Sequence, residues 1–157
     1  MVKAFHPLIV ASTSAARRQM LERAGLMVHF RAPNLDEDML RRANSDLDGK
    51  GMAQILAYAK ASSIIAPNSI VIGADQTLEL NGNLLTKAKT LNGARHQLLS
   101  LRGQTHYLHS AVACTRNGLL LYRHAETASM KMRNFSDDFL EDYLHKAGSQ
   151  VLHSVGC

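Results

Sequence analysis

The segment Ser69–Lys89, SIVIGADQTLELNGNLLTKAK, decides the fold. Ile70, Val71 and Ile72 form a short apolar run that reads as a buried strand, and the small pair Gly73-Ala74 then delivers a carboxylate, Asp75. An acid at the exit of a core strand is a candidate site residue. Beyond it, Thr77, Leu78, Glu79 and Leu80 alternate as a half-buried strand does. Asn81-Gly82 is a tight-hairpin signal, and the return strand leads to Lys87 and Lys89. A strand and a hairpin thus bring one acid and two cations near each other, the start of a phosphate or metal site.

Working outward, a chain of 157 residues with 46% apolar content amounts to one domain. Such a chain buries roughly two-thirds of its unfolded surface. There is no apolar run of about 18 residues to cross a membrane. The N-terminal apolar stretch is too short for a signal core and ends in Arg17-Arg18, so a cytoplasmic protein is expected. Cys114 falls in a strand-like run and Cys157 is the final residue, a spacing that supports neither a disulfide framework nor a zinc site. His106 and His109 could share a helix face, but THYLHSAVAC reads as strand, where that spacing puts them on opposite faces. With 18 Lys+Arg against 13 Asp+Glu the net charge is +5, which suits a polyanionic partner. Scattered basic residues, 5% aromatics and no Trp argue against a single-strand nucleic-acid platform.

Upstream, Pro7 to Ser12 is a short strand, followed by a helix to Ala24 closed by Gly25, with Thr13 or Ser14 as N-cap and Met20, Leu21 and Ala24 as its buried stripe. Arg17 and Arg18 in the first turn oppose the helix dipole at a cost of roughly a few tenths of a kcal/mol. An anion held at the helix start would explain them; so would a capped surface helix with solvated arginines. Val28–Ala32 is a second strand. Pro33-Asn34 then turns into LDEDML, where Asp36, Glu37 and Asp38 are what dipole compensation alone would place in a first helical turn. After a polar break at Ser45–Gly51, the stripe Met52, Ile55, Leu56, Ala59 marks a helix through about Ala66, on which Lys60 reads as a solvated lysine.

Downstream, Leu91, Ala94, Leu98 and Leu101 mark an amphipathic helix ended by Gly103. Thr105–Arg116 and Leu119–Arg133 flank Asn117-Gly118 as two long antiparallel strands. A last helix begins at Ser136, buries Phe139, Leu140, Tyr143, Leu144 and Ala147, and stops at Gly148. The tail after it carries no complete element.

Taken in order, ASTSAARRQML, PNLDE, AYAKA, VIGADQTL, NG, LLTKAK and SLRGQTHYLHSAVA resemble the Maf proteins, nucleoside triphosphate pyrophosphatases of the inosine-triphosphatase-like fold. The agreement runs from about Leu8 to Tyr143, and several linked motifs make it far more specific than any single one. The resemblance implies an α/β fold: a mixed twisted sheet with flanking helices and two lobes around a cleft. It also carries over site residues by position. Ser14 and Arg17 would cradle phosphates, Lys60 would bind substrate, and Glu37 and Asp75 would be catalytic and metal-side carboxylates. Lys87 would be a catalytic cation, although Thr86 and Ala88 replace the flanking Gly and Pro of the family pattern. Gln76 after the acid is similar to the branch acting on 7-methyl-GTP, whereas Ala16 stands where that branch often has a large aromatic, so the base preference stays open.

The chemistry is coherent with those residues. Cleavage between the α- and β-phosphates needs a water deprotonated near the α-phosphorus, a divalent cation and cations on the leaving pyrophosphate. Oxygen ligands with phosphate suit magnesium or manganese. The expected partners are a nucleoside triphosphate and a second copy of the chain; nucleic acid and membrane are not expected. Residues 1–157 are expected to form one Maf-like domain lacking the C-terminal strand and helix that follow Val155-Gly156-Cys157 in the family. Dimerisation or disorder near the C-terminus is expected to follow. The alternative reading is a catalytically weak nucleotide- or nucleic-acid-binding regulator on the same fold.

Overall fold

The computed structural model describes residues 6–156, so Cys157 lies outside the described residues. Six strands form one mixed sheet in the order β2-β1-β3-β5-β6, with β4 paired to β3. β1 (Leu8–Ala11) runs parallel to both β2 (Val28–Arg31) and β3 (Ile70–Leu80), whereas β4 (Asn83–Leu85) returns antiparallel to β3. β5 (Thr105–Arg116) and β6 (Leu119–Lys131) are joined through Asn117-Gly118, both with positive φ as a tight hairpin turn requires. The helices are α1 (Ala15–Arg23), α2 (Glu37–Ala43), α3 (Gly49–Ser62), α4 (Leu91–Leu101) and α5 (Asp137–Ala147), the last followed by a 3₁₀ turn, Gly148–Leu152.

The chain divides into two compact units. The first holds residues 1–76 and 110–126, the second residues 77–109 and 127–157. In the first unit the core is made of Ile9, Ala11, Ala53, Ala57, Ala61, Val71, Ala111, Ala113 and Ala125. Its small side chains let α3 lie very close to β3. The tightest approach is at Gly73, where a Cβ would sit 2.1 Å from the Ala57 carbonyl oxygen and 2.5 Å from the Ala61 nitrogen. Val71, Gly73 and Asp75 share one face of β3 by its two-residue period, so the face that packs under α3 also carries the acid.

Four sequence expectations change here. β3 is one continuous 11-residue strand, and Asp75 lies inside it rather than at its exit. What ends near Asp75 is β1, whose last residue, Ala11, pairs with Gly73. The buried face of α3 is Gly49, Met52, Ala53, Leu56, Ala57, Lys60 and Ala61, which keeps Met52 and Leu56 of the expected stripe but leaves Ile55 and Ala59 half-buried at its edge, and the helix stops at Ser62 instead of Ala66. Helix α1 buries no residue: Met20 is 62% exposed, and the helix is fixed by its cap and by the Arg18 guanidinium stacked 4.1 Å from the Phe30 ring centre.

In the second unit, Leu78, Leu80 and Leu101 form one apolar cluster, and Ala94, Leu98, Leu140, Leu144 and Val151 another. Leu140 and Leu144 are the buried residues of α5, whereas Phe139 is largely exposed. The supposed tail contributes Val151 to this core through the 3₁₀ turn. Arg102 ties the start of α5 by donating to Asp137 Oδ1 at 2.6 Å and to the Phe135 carbonyl at 3.2 Å. Ser136 caps the helix by accepting from the Phe139 N–H at 3.2 Å. Ser136→Ala leaves that N–H without its partner and is expected to cost about 1 kcal/mol of stability, seen as a lower denaturation midpoint at unchanged slope.

Candidate functional site

The site is built where β1 ends and β3 continues. On α2, Asp36 is the N-cap, its carboxylate accepting from the Met39 N–H at 2.8 Å. Asp38 is exposed, so capping and dipole compensation account for these two acids. Glu37 does something else: its Oε1 lies 3.0 Å from Lys60 Nζ. Lys60 is no solvated lysine. It sits in the apolar stripe of α3, only 7% exposed, and donates to Asp75 Oδ1 at 2.6 Å. One ammonium therefore bridges two carboxylates, an arrangement in which each buried charge has an opposite partner.

Asp75 is 6% exposed, and its second oxygen, Oδ2, is buried with no hydrogen-bond partner among the described residues. Arg41 Nη2 faces it at 3.6 Å. Arg41 lies one helical turn after Glu37 on α2, so the i,i+4 spacing sends both toward α3 and β3. Nothing in the sequence reading singled out Arg41. Its spacing from Glu37 was the available signal.

Ser14 and Arg17 stand at the other element leaving the C-terminal edge of the parallel strands. Ser14, not Thr13, is the N-cap of α1, accepting from the Arg17 N–H at 3.3 Å. Ser12, buried and also missed, accepts from the Ser14 N–H at 3.1 Å and from Arg17 Nη1 at 3.5 Å. Its hydroxyl holds the guanidinium beside the helix N-terminus, a pairing of cation and free N–H groups that suits an anion. Gln76 projects from the opposite face of β3 from Asp75, exposed, and its Nε2 donates to Ser110 Oγ on β5 at 2.8 Å. Lys87 belongs to the second unit and is exposed in the β4–α4 loop, next to Thr86, whose carbonyl accepts from Gln97 Nε2.

The two strand histidines go separate ways. His109 is buried with Nδ1 2.9 Å from Thr127 Oγ1 and Nε2 3.1 Å from Glu79 Oε2, while His106 is buried and its Nδ1 has no hydrogen-bond partner among the described residues. Burial also pushes the Cys114 thiol up from its ordinary value, which keeps it a poor nucleophile at neutral pH.

An α/β sheet with an anion-suited helix start and a carboxylate pair held by a buried lysine, all at the C-terminal end of parallel strands, is an arrangement suited to a phosphate-bearing ligand. The sequence profile of the family described as Maf-like protein matches residues 7–157. The chain belongs to that family.

It is 42% identical over 154 residues to a nucleoside triphosphate pyrophosphatase of Caulobacter vibrioides, covering 96% of this chain and 77% of the relative. It is 37% identical over 151 residues to a 7-methyl-GTP pyrophosphatase of Bartonella henselae, covering 95% and 76% respectively. Among solved structures, a HAM1 protein from Coxiella burnetii superposes with a TM-score of 0.54 at 16% identity, over 83% of this chain and 75% of that one. That similarity concerns the fold alone, and it agrees with the mixed sheet and flanking helices expected from the sequence.

Proposed function

We propose that this chain hydrolyses a nucleoside triphosphate to the monophosphate and pyrophosphate, with 7-methyl-GTP among its substrates. The chain is a hydrolase by its homology to nucleoside triphosphate pyrophosphatases. The observation that carries the reading is the buried Oδ2 of Asp75, without a hydrogen-bond partner among the described residues, on a carboxylate held beside Glu37 through Lys60. A buried anionic oxygen with spare acceptor capacity is suited to take a proton from an attacking water or to face a cation.

No three His, Cys, Asp or Glu side chains gather among the described residues as a self-sufficient metal cage. Two carboxylates with hard oxygen donors nevertheless fit magnesium or manganese, which bind through one or two carboxylates together with substrate phosphates and water. Glu37 and Asp75 would hold the ion, and when bound it would offset charge on the phosphates.

The remaining roles belong to the chain's own groups. Lys60 keeps the two carboxylates together and lends positive charge to the site. Ser14 and the N–H groups of the α1 start receive phosphate oxygens, with Arg17 held ready by Ser12. Lys87 takes the leaving pyrophosphate, an assignment supported by the family pattern, and Gln76 reads an edge of the base. One catalytic domain, a homodimer and cytoplasmic residence complete the reading. Among the described residues no helix is long and apolar enough to cross a membrane.

A nucleotide panel assayed for pyrophosphate with magnesium, with manganese and with EDTA tests this function. Release is expected with either metal, to fall to background with EDTA, and to include 7-methyl-GTP. Nucleotide binding without turnover under every condition would favour the regulator reading instead.

A further inference from the structure

We propose that Arg41 is the displaceable counter-ion of this site: its guanidinium faces the second oxygen of Asp75, Oδ2, while the site is free of metal, and gives that place to the divalent cation. This rests on the metal-dependent reading of the same site. Around Asp75 stand two carboxylates, Glu37 and Asp75, and two cations, Lys60 and Arg41, so the charges cancel. A divalent ion added to this balanced cluster is repelled by both resident cations, and displacing one of them lowers that repulsion.

The two cations are not equivalent. Lys60 is buried and bonded to both carboxylates, at 2.6 and 3.0 Å. The Arg41 side chain is 24% exposed and lies 3.6 Å from Asp75 Oδ2, an ion pair without a hydrogen bond. Arg41 is attracted to the carboxylate but not locked to it. The oxygen it faces is also the one with unused acceptor capacity. When the ion takes that oxygen, Arg41 is released close to incoming phosphates, whose geometry a guanidinium matches well. It is thus a positioning residue that sets how readily the carboxylate pair accepts metal.

The test is manganese binding to the nucleotide-free protein, followed by electron paramagnetic resonance of free Mn²⁺. Arg41→Gln is expected to bind Mn²⁺ about three- to tenfold more tightly than wild type, because a competing positive charge has gone. Arg41→Lys, which keeps the charge, is expected to stay near wild type. Arg41→Met, a straight-chain helix former of similar length, is a second neutral variant with the same expectation as Gln. Equal affinity in wild type and the neutral variants, equal tightening in the Lys variant, or no Mn²⁺ binding by any form would overturn the proposal. Pyrophosphate release by wild type is assayed separately. Absence of turnover alongside tighter Mn²⁺ binding in the neutral variants would remove the proposed function and leave the role of Arg41 standing.

Discussion

Asp75→Asn is expected to lower pyrophosphate release at least about a thousandfold while leaving the protein folded. The substitution is nearly isosteric, and the amide oxygen can still accept from Lys60, which now lies 2.6 Å from Asp75 Oδ1. What disappears is the negative charge and the acceptor capacity of Oδ2, the buried oxygen without a hydrogen-bond partner among the described residues. An amide can neither take a proton from water nor hold a divalent cation as a carboxylate does. The check is kcat for pyrophosphate release at saturating metal, with circular dichroism to confirm the fold. Lost turnover in a folded protein that still binds nucleotide places the effect on the chemical step. Wild-type turnover in the Asn variant would remove Asp75 from the mechanism.

The second large effect is expected from Gly73→Ala. A single methyl here would meet the Ala57 carbonyl oxygen at 2.1 Å, the Ala61 nitrogen at 2.5 Å and the Ala61 Cβ at 3.0 Å. Two of these are backbone atoms of α3, which cannot rotate away as a long side chain does, so either the helix or β3 must shift. A loss of about 3 kcal/mol or more follows from such overpacking, read as the midpoint of urea unfolding. Activity should fall further than stability alone predicts, because Lys60 is one residue from Ala61 on the displaced helix and must still span to Asp75 and Glu37. A near-wild-type unfolding midpoint would contradict the close packing of α3 on β3.

Much of this was legible in the sequence. The apolar run of β3, the Asn-Gly turns at residues 81–82 and 117–118, and the helix starts at Ser14 and Ser136 are local signals, and local signals set those elements. The structure gathers Glu37, Lys60 and Asp75, whose roles the sequence had assigned by resemblance to the Maf proteins. Other features were hidden because they depend on tertiary packing. Lys60 looked solvated because lysine usually is, yet it shares the buried face of α3 with Met52 and Leu56, a face the small residues Ala53, Ala57 and Ala61 widen. Ser12 and Arg41 have ordinary sequence settings, and their partners become visible only when β1, α2 and β3 converge. Met20 and Phe139 were assigned to buried faces by spacing, but periodicity reports a face, not whether anything covers it.

The measurement that meets the central claim most directly is hydrolysis of a nucleoside triphosphate by the wild-type chain in heavy-oxygen water, with mass analysis of both products. Attack of water at the α-phosphorus predicts equal amounts of nucleoside monophosphate and pyrophosphate, with the label in the monophosphate and almost none of this product from Asp75→Asn. Label in the pyrophosphate, release of inorganic phosphate with a nucleoside diphosphate, or the same rate from the Asn variant would contradict the account.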